Sequence, residues 1–245
     1  MDTTESTRER NIPDQSWKSL YKAGGISGVL VGILLIIAIV LISITPQAPT
    51  SGGIATLEYI ASNRLVYIVG QVVGIAPVFL EIVVFLALLM ALKGFNKSAA
   101  AIGSVLAIVS QAVVLASVNF GGLVNLSDNY MVAVTDAQRA VFANAAEWAI
   151  AFNNSVSASG IDVIMTSGAI GVLILSFLML KGVFQKGIAV LGIIAGVLGI
   201  ISAFGVFISP LPVTPQLGIG YTLYAFILTI WLVAVGIKLY KLGRD

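Results

Sequence analysis

The chain has 245 residues, 58% hydrophobic and 10% charged, with thirteen basic and eleven acidic side chains and neither histidine nor cysteine. Soluble domains carry about 25% charged residues, so this composition excludes a soluble fold and makes lipid the solvent for most of the surface. The missing cysteine and histidine remove disulfides, thiol chemistry, the commonest general base and the usual zinc ligands, so no metal and no cofactor is expected.

Taken in order, the chain opens with a polar segment, 1–22, and then alternates long apolar runs with short polar ones. A bilayer core ~30 Å thick needs about 20 apolar residues in a helix. Six stretches meet that length: 24–45, 66–92, 98–120, 156–180, 187–209 and 218–238. The first is too long for the h-region of a signal peptide and reads as an uncleaved span. The expectation is an all-α, polytopic membrane protein: one six-helix domain over 23–240 with a tail at 241–245. Lys93–Lys97 and Lys181–Lys186 are tight turns that pair spans two with three and four with five. Ser209–Pro215 is proline-rich, hence a stiff link. In the longest connection, Thr135-Asp136-Ala137-Gln138 has the spacing of a capping box. Val141, Ala145, Trp148 and Phe152 follow it at helical spacing. Three readings stand for 136–154: an amphipathic helix on the membrane surface, a helix continuous with span four and bent at Gly160, or a functional lid over the bundle.

Basic residues orient the bundle. Threading six spans leaves Arg8, Arg10, Lys18, Lys22, Lys93, Lys97, Lys181, Lys186, Lys238, Lys241 and Arg244 on one face, and only Arg64 and Arg139 on the other. Cytoplasmic loops hold the excess of Lys and Arg, which puts both termini in the cytoplasm of a cell-membrane protein. Anionic headgroups suffice as partners for that basic rim, and nucleic acid is not needed.

Polar groups inside the spans are the candidates for function. Gly70, Gly74, Pro77 and Glu81 fall within ~40° of one another on a helix turning ~100° per residue. Pro77 removes a backbone donor from the carbonyl of Val73 and is expected to kink the helix. Glu81 lies near mid-depth, where an ionised carboxylate costs at least ~2.5–3.5 kcal/mol, so it should face protein or a water-filled cavity. Gln111 in span three lies at similar depth and within reach of an amide–carboxyl hydrogen bond. Span four opens with a second polar stripe: Ser155, Ser159, Asp162 and Thr166 recur at i, i+4, i+7 and i+11. The two stripes together outline a polar cleft with Asp162 near the outer mouth and Glu81 at its floor, a ligand or proton site. The bland reading is that Glu81 and Gln111 fasten two helices together, and that Asp162 is structural. Gly24, Gly28 and Gly32 in span one, and Gly192, Gly196, Gly199 and Ala203 in span five, are packing stripes. They serve this chain or a homo-oligomer.

Three stretches carry a family resemblance: Trp17-Lys18-Ser19-Leu20-Tyr21-Lys22-Ala23-Gly24-Gly25; Asp136-Ala137-Gln138 before an apolar helix; and Leu178-Met179-Leu180-Lys181-Gly182-Val183-Phe184-Gln185-Lys186-Gly187 leading into Leu191-Gly192-Ile193. Over residues 17–240 the chain resembles an uncharacterised family of prokaryotic integral membrane proteins, domain of unknown function 4386. The resemblance implies a multi-pass membrane fold and no particular activity. Members often carry a histidine early in span four, which this chain lacks.

Two functions compete. One is a protein that binds or moves a small molecule through the polar cleft. The other is a structural or regulatory membrane protein. An enzyme using Glu81 and Asp162 as acid and base is disfavoured by their different depths.

Overall fold

A computed structural model describes residues 14–46, 49, 52–117, 120–154, 157–158, 161–182, 184–204 and 219–244. The expected stiff link at 209–215 and the polar residues 1–13 lie outside them. A short 3-10 turn, Gln15–Trp17, precedes α1, Lys18–Ile44. Then follow α2, Gly53–Ser62; α3, Arg64–Leu92; α4, Lys97–Ser117; α5, Phe120–Val132; and α6, Asp136–Asn154. A hairpin of two residues per strand, β1 Ser157–Ala158 and β2 Ile161–Asp162, leads into α7, Val163–Met179; α8, Lys186–Ala203; and α9, Ile219–Arg244. Apart from turns, the described residues are otherwise helical. Five of the helices are long and apolar enough to cross a bilayer, and α7 is a sixth apolar helix of 17 residues.

The apolar helices form a closed ring. Each of α1, α3, α4, α7, α8 and α9 packs on the ones before and after it, and α9 returns to α1. Glycines set these contacts. A methyl group on Gly28 of α1 would stand 2.6 Å from the Leu232 carbonyl oxygen and 2.9 Å from Gly236 Cα of α9. On α8, the faces of Gly196 and Gly199 abut Leu173 and Ala169 of α7 and the Tyr224 ring of α9. Gly192 admits the Trp231 indole and the Ser176 hydroxyl. Both small-residue stripes are therefore consumed inside this chain, and neither argues for a second copy. The core they enclose contains Tyr21, Phe85, Leu88, Leu175, Met179, Trp231 and Leu239, all essentially buried.

A second, smaller core lies at the opposite end from the basic turns. Leu57 and Ile60 of α2, Leu123 of α5, and Ala146 and Ala149 of α6 pack together there. Polar contacts tie this three-helix cap: the Ser127 hydroxyl donates to the Leu57 carbonyl at 2.7 Å, and the Gly53 amide donates to the Glu147 carboxylate at 3.0 Å. That carboxylate sits where the N-terminus of α2 favours negative charge. Arg64 at the start of α3 is paired with Asp128 of α5. The capping box at the start of α6 is formed in both directions: Gln138 N donates to Thr135 Oγ1, and Gln138 Oε1 accepts from Thr135 N.

At the basic end, Asp14 accepts from the Ser16 amide and hydroxyl and from Lys93 Nζ. The Ser16 hydroxyl bond first, and then Lys93, hold the Asp14 carboxyl down at about 2. The Lys93 ammonium also lies 5.3 Å from the centroid of the Trp17 ring, so the turn just before α1 is pinned to the turn between α3 and α4.

Two expectations need correcting. Span four is not helical from 156: helix α7 starts at Val163, and before it 157–158 pair antiparallel with 161–162. Ser and Gly in Ser155–Asp162 are poor helix formers whose side chains or backbone freedom favour other conformations, and Asp162 is a strong N-cap. Helix α6 is thus a helix of its own, not an extension of span four. The connection between spans one and two, for which no element was expected, holds α2.

The glycine contacts predict a sharp asymmetry. Gly28→Val should cost ~1–3 kcal/mol by overpacking against backbone that cannot yield, visible as a lowered thermal midpoint in detergent. Gly74→Ala, with nothing within 4 Å of the added carbon, should leave that midpoint unchanged or higher.

Candidate functional site: a groove between the first and third helices

Helices α1 and α3 meet closely at the basic end and part towards the other. A carbon on Gly24 would stand 2.5 Å from Ala87 Cβ, whereas carbons on Gly70 and Gly74 would meet nothing within 4 Å. These two glycines therefore do not serve close packing. They line a groove of about 590 Å³, walled by Ala38, Leu41 and Ile42 of α1 and by Val66, Val69 and Val73 of α3. The cap closes its end: Tyr59 of α2 lines the groove, and its hydroxyl donates to the Pro46 carbonyl at 2.9 Å. Three polar features meet this apolar wall. Gln71 and Tyr67 line it, and neither side chain has a hydrogen-bond partner among the described residues. Val73 lines it too, and its carbonyl is deprived of the usual helical donor because Pro77 has no N–H. Helix α3 runs through Pro77 without a break.

Glu81 continues the Gly70–Gly74–Pro77 stripe two turns deeper. It is partly buried, and its carboxyl accepts a 2.8 Å hydrogen bond from the Gln111 amide of α4. The structure brings these two side chains together at the seam of the α3–α4 hairpin. One residue away, the Ser110 hydroxyl donates to the Ile164 carbonyl at 2.8 Å, joining α4 to the first turn of α7. The alternating partners sew three consecutive helices at one depth.

Asp162 does not join this set. Its carboxylate accepts the Met165 amide at 2.8 Å as the N-cap of α7, and the Thr166 hydroxyl donates to the Asp162 carbonyl at 2.6 Å. Both are local bonds of a helix start, so Asp162 and Thr166 belong to the first turn of α7 and Asp162 does not continue a helix from further back. Ser159 and Ser155 themselves lie outside the described residues. Asp162 and Glu81 thus have separate partners, and the open space lies instead beside Gly70 and Gly74, nearer the capped end of the stripe that carries Glu81, where the sequence offered one further signal: Gln71, an amide among apolar residues beside Gly70. The stripe Val141, Trp148, Phe152 on α6 likewise points away from the cap, whose contacts use Ala146 and Ala149. Trp148 and Phe152 stack on each other at 5.4 Å and stay exposed.

Six apolar helices, the short basic turns and the separate capped helix at 136–154 describe a fold that a family comparison can place. The family described as "domain of unknown function (DUF4386)" matches residues 26–236, most of the chain. This chain belongs to that family. The matched region runs from the third turn of α1 into the last third of α9, so it takes in the groove, the cap and all of the ring but the basic ends of those two helices. No curated protein and no solved structure matches the chain. The family is uncharacterised, so membership carries the fold and leaves the site to be argued from its own geometry.

The Glu81–Gln111 bond yields a measurable coupling. Glu81→Leu and Gln111→Leu should each lower the thermal midpoint, because each strands the other polar group in an apolar seam. The double variant should lose less than the sum, with a coupling of about 0.6–2 kcal/mol, the range for hydrogen bonds between membrane helices. Additive losses would show that the bond contributes nothing.

Proposed function

We propose that this protein of the cell membrane crosses the bilayer six times with both termini in the cytoplasm, and that it binds an amphipathic, mainly apolar small molecule in the α1–α3 groove. The observation that carries the reading is the open space beside Gly70 and Gly74. A volume of about 590 Å³ falls within the ~300–1,000 Å³ of small-molecule sites. Such sites are mostly apolar with a few placed polar groups, and here Gln71, Tyr67 and the Val73 carbonyl fill that role. An apolar wall between two lipid-facing helices suits a ligand that arrives through hydrocarbon instead of water. Passage through the bundle is less well supported, since Glu81 and Asp162 both have partners within the protein. The same pairing disfavours acid–base catalysis by these two carboxyls. It is also what supports the second reading, a structural or regulatory membrane protein in which polar groups serve packing alone.

The lack of cysteine lets single-cysteine labelling test the orientation directly. With a membrane-impermeant maleimide on intact cells, Asn144→Cys on α6 should label and Ser98→Cys at the basic end should not. The reverse pattern would invert the topology.

Ligand binding is tested by native mass spectrometry of protein released from its own membrane. The wild type should retain a small non-covalent adduct, and Gly74→Leu, whose Cβ meets nothing within 4 Å and whose longer side chain extends into the groove, should retain at least tenfold less at an unchanged thermal midpoint. Equal adducts on both proteins, or none on the wild type, would leave the structural reading standing in its place.

A further inference from the structure

A second concavity lies between α1 and α9 at the basic end, on the opposite side of α1 from the groove above. It holds about 340 Å³ and is walled by Ile26, Val29 and Leu30 of α1 and Ile237 of α9, with Lys241 and Arg244 at its end. Its shape is fixed by the close helix contact that closes the ring. Gly25 lies against the backbone of Tyr240, and Gly28 against Gly236, so neither wall can move inward. Ile26, Leu30 and Ile237 are exposed, at 51, 39 and 47%.

Lys241 and Arg244 sit one turn apart on α9, and both are exposed. Among the described residues the ion pairs are Arg64–Asp128 and Lys93–Asp14, so no carboxylate among those residues pairs with either cation. Two positive charges thus stand at the head of a slot whose sides are hydrocarbon. In water such a surface would be anomalous. At the edge of a bilayer it matches one kind of molecule: a chain that fills the apolar slot, joined to an anionic group that reaches the cations.

We propose that this concavity is a binding site for an anionic phospholipid, with an acyl chain along Ile26, Leu30 and Ile237 and the phosphate against Lys241 and Arg244. Excess lysine and arginine at one end of a membrane protein is accounted for by topology alone. What sets this pair apart from Lys97 or Lys181 is that they share one cavity with the apolar wall. Basic pockets between membrane helices are suited to anionic headgroups, each cation near the surface favouring them by a factor of roughly five. The site is independent of the α1–α3 groove and of what that groove binds.

The test is native mass spectrometry of the full chain in detergent, titrated with dioleoyl phosphatidylglycerol and, separately, dioleoyl phosphatidylcholine. The wild type should retain phosphatidylglycerol at least tenfold more strongly. Lys241→Gln with Arg244→Gln should abolish most of that preference, and Leu30→Trp, which blocks the slot and keeps every charge, should lower phosphatidylglycerol retention as well. Lys97→Gln with Lys181→Gln, equal in charge loss but away from the slot, should retain it as the wild type does. Millimolar inorganic phosphate should not displace the lipid. Equal retention of the two lipids, equal losses in the two double variants, wild-type retention by Leu30→Trp, or displacement by phosphate would each overturn the assignment.

Discussion

The contact between α1 and α9 through Gly25, Gly28 and Gly236 closes the ring, and the other features depend on that closure. In a bilayer no hydrophobic force draws one helix to another, so association rests on van der Waals packing and a few hydrogen bonds. Backbone meeting backbone supplies the densest such packing. Because first and last helices are joined this way, α3, α4, α7 and α8 are held in a fixed circuit. The line of α1 is set at its basic end, where Gly24 also presses on Ala87 of α3. With one end so clamped, the widening of α1 from α3 at the other end becomes a defined space.

The same residue type therefore does opposite work in different helices. In α1 and α8, glycines remove the side chain so that a neighbour can come closer. In α3, Gly70 and Gly74 remove it and no neighbour comes. Glu81, below them on the same stripe, is turned to Gln111 and anchors α3 to α4. Helix α3 is thus held firmly at its middle and at its basic end, with its capped end free to border a cavity. The cap stands over that end through Tyr59, and its own three helices hold together by a separate small core.

Much of the ring was legible in the sequence because its signal is long. Runs of about 20 apolar residues and the clustering of lysines at their ends survive any local irregularity, and five helices fall where those runs predict. The Glu81–Gln111 pair was legible from depth alone, since a hairpin with a turn at 93–97 brings residues of equal depth together. The start of α7 was not. An apolar run through Val156 and Ile161 extends the hydropathy signal, while Ser, Gly and the Asp162 cap decide the backbone locally. The cap was half legible: Thr135 and Gln138 announce α6, but α2 is short, and its partners lie in a segment more than sixty residues away. The groove was hidden for a related reason. A glycine stripe reads the same whether a helix lies against it or not, and only the three-dimensional course of α1 distinguishes the two.

The late start of α7 has a consequence for the surrounding bilayer. Its 17 residues span ~25 Å at 1.5 Å per residue, against a hydrocarbon core of ~30 Å. On either side stand α4 and α8, and beyond the Asp162 cap the chain turns back as a polar hairpin instead of continuing apolar. Lipids alongside α7 therefore meet a hydrophobic belt that is short on that flank, while those beside α1 and α3, with 27 and 29 residues, meet a long one. The protein is asymmetric in thickness around its circumference. Such mismatch is relieved by local thinning of the membrane or by tilt. This molecule should sit tilted, with its α7 side in a dimple of thinner bilayer.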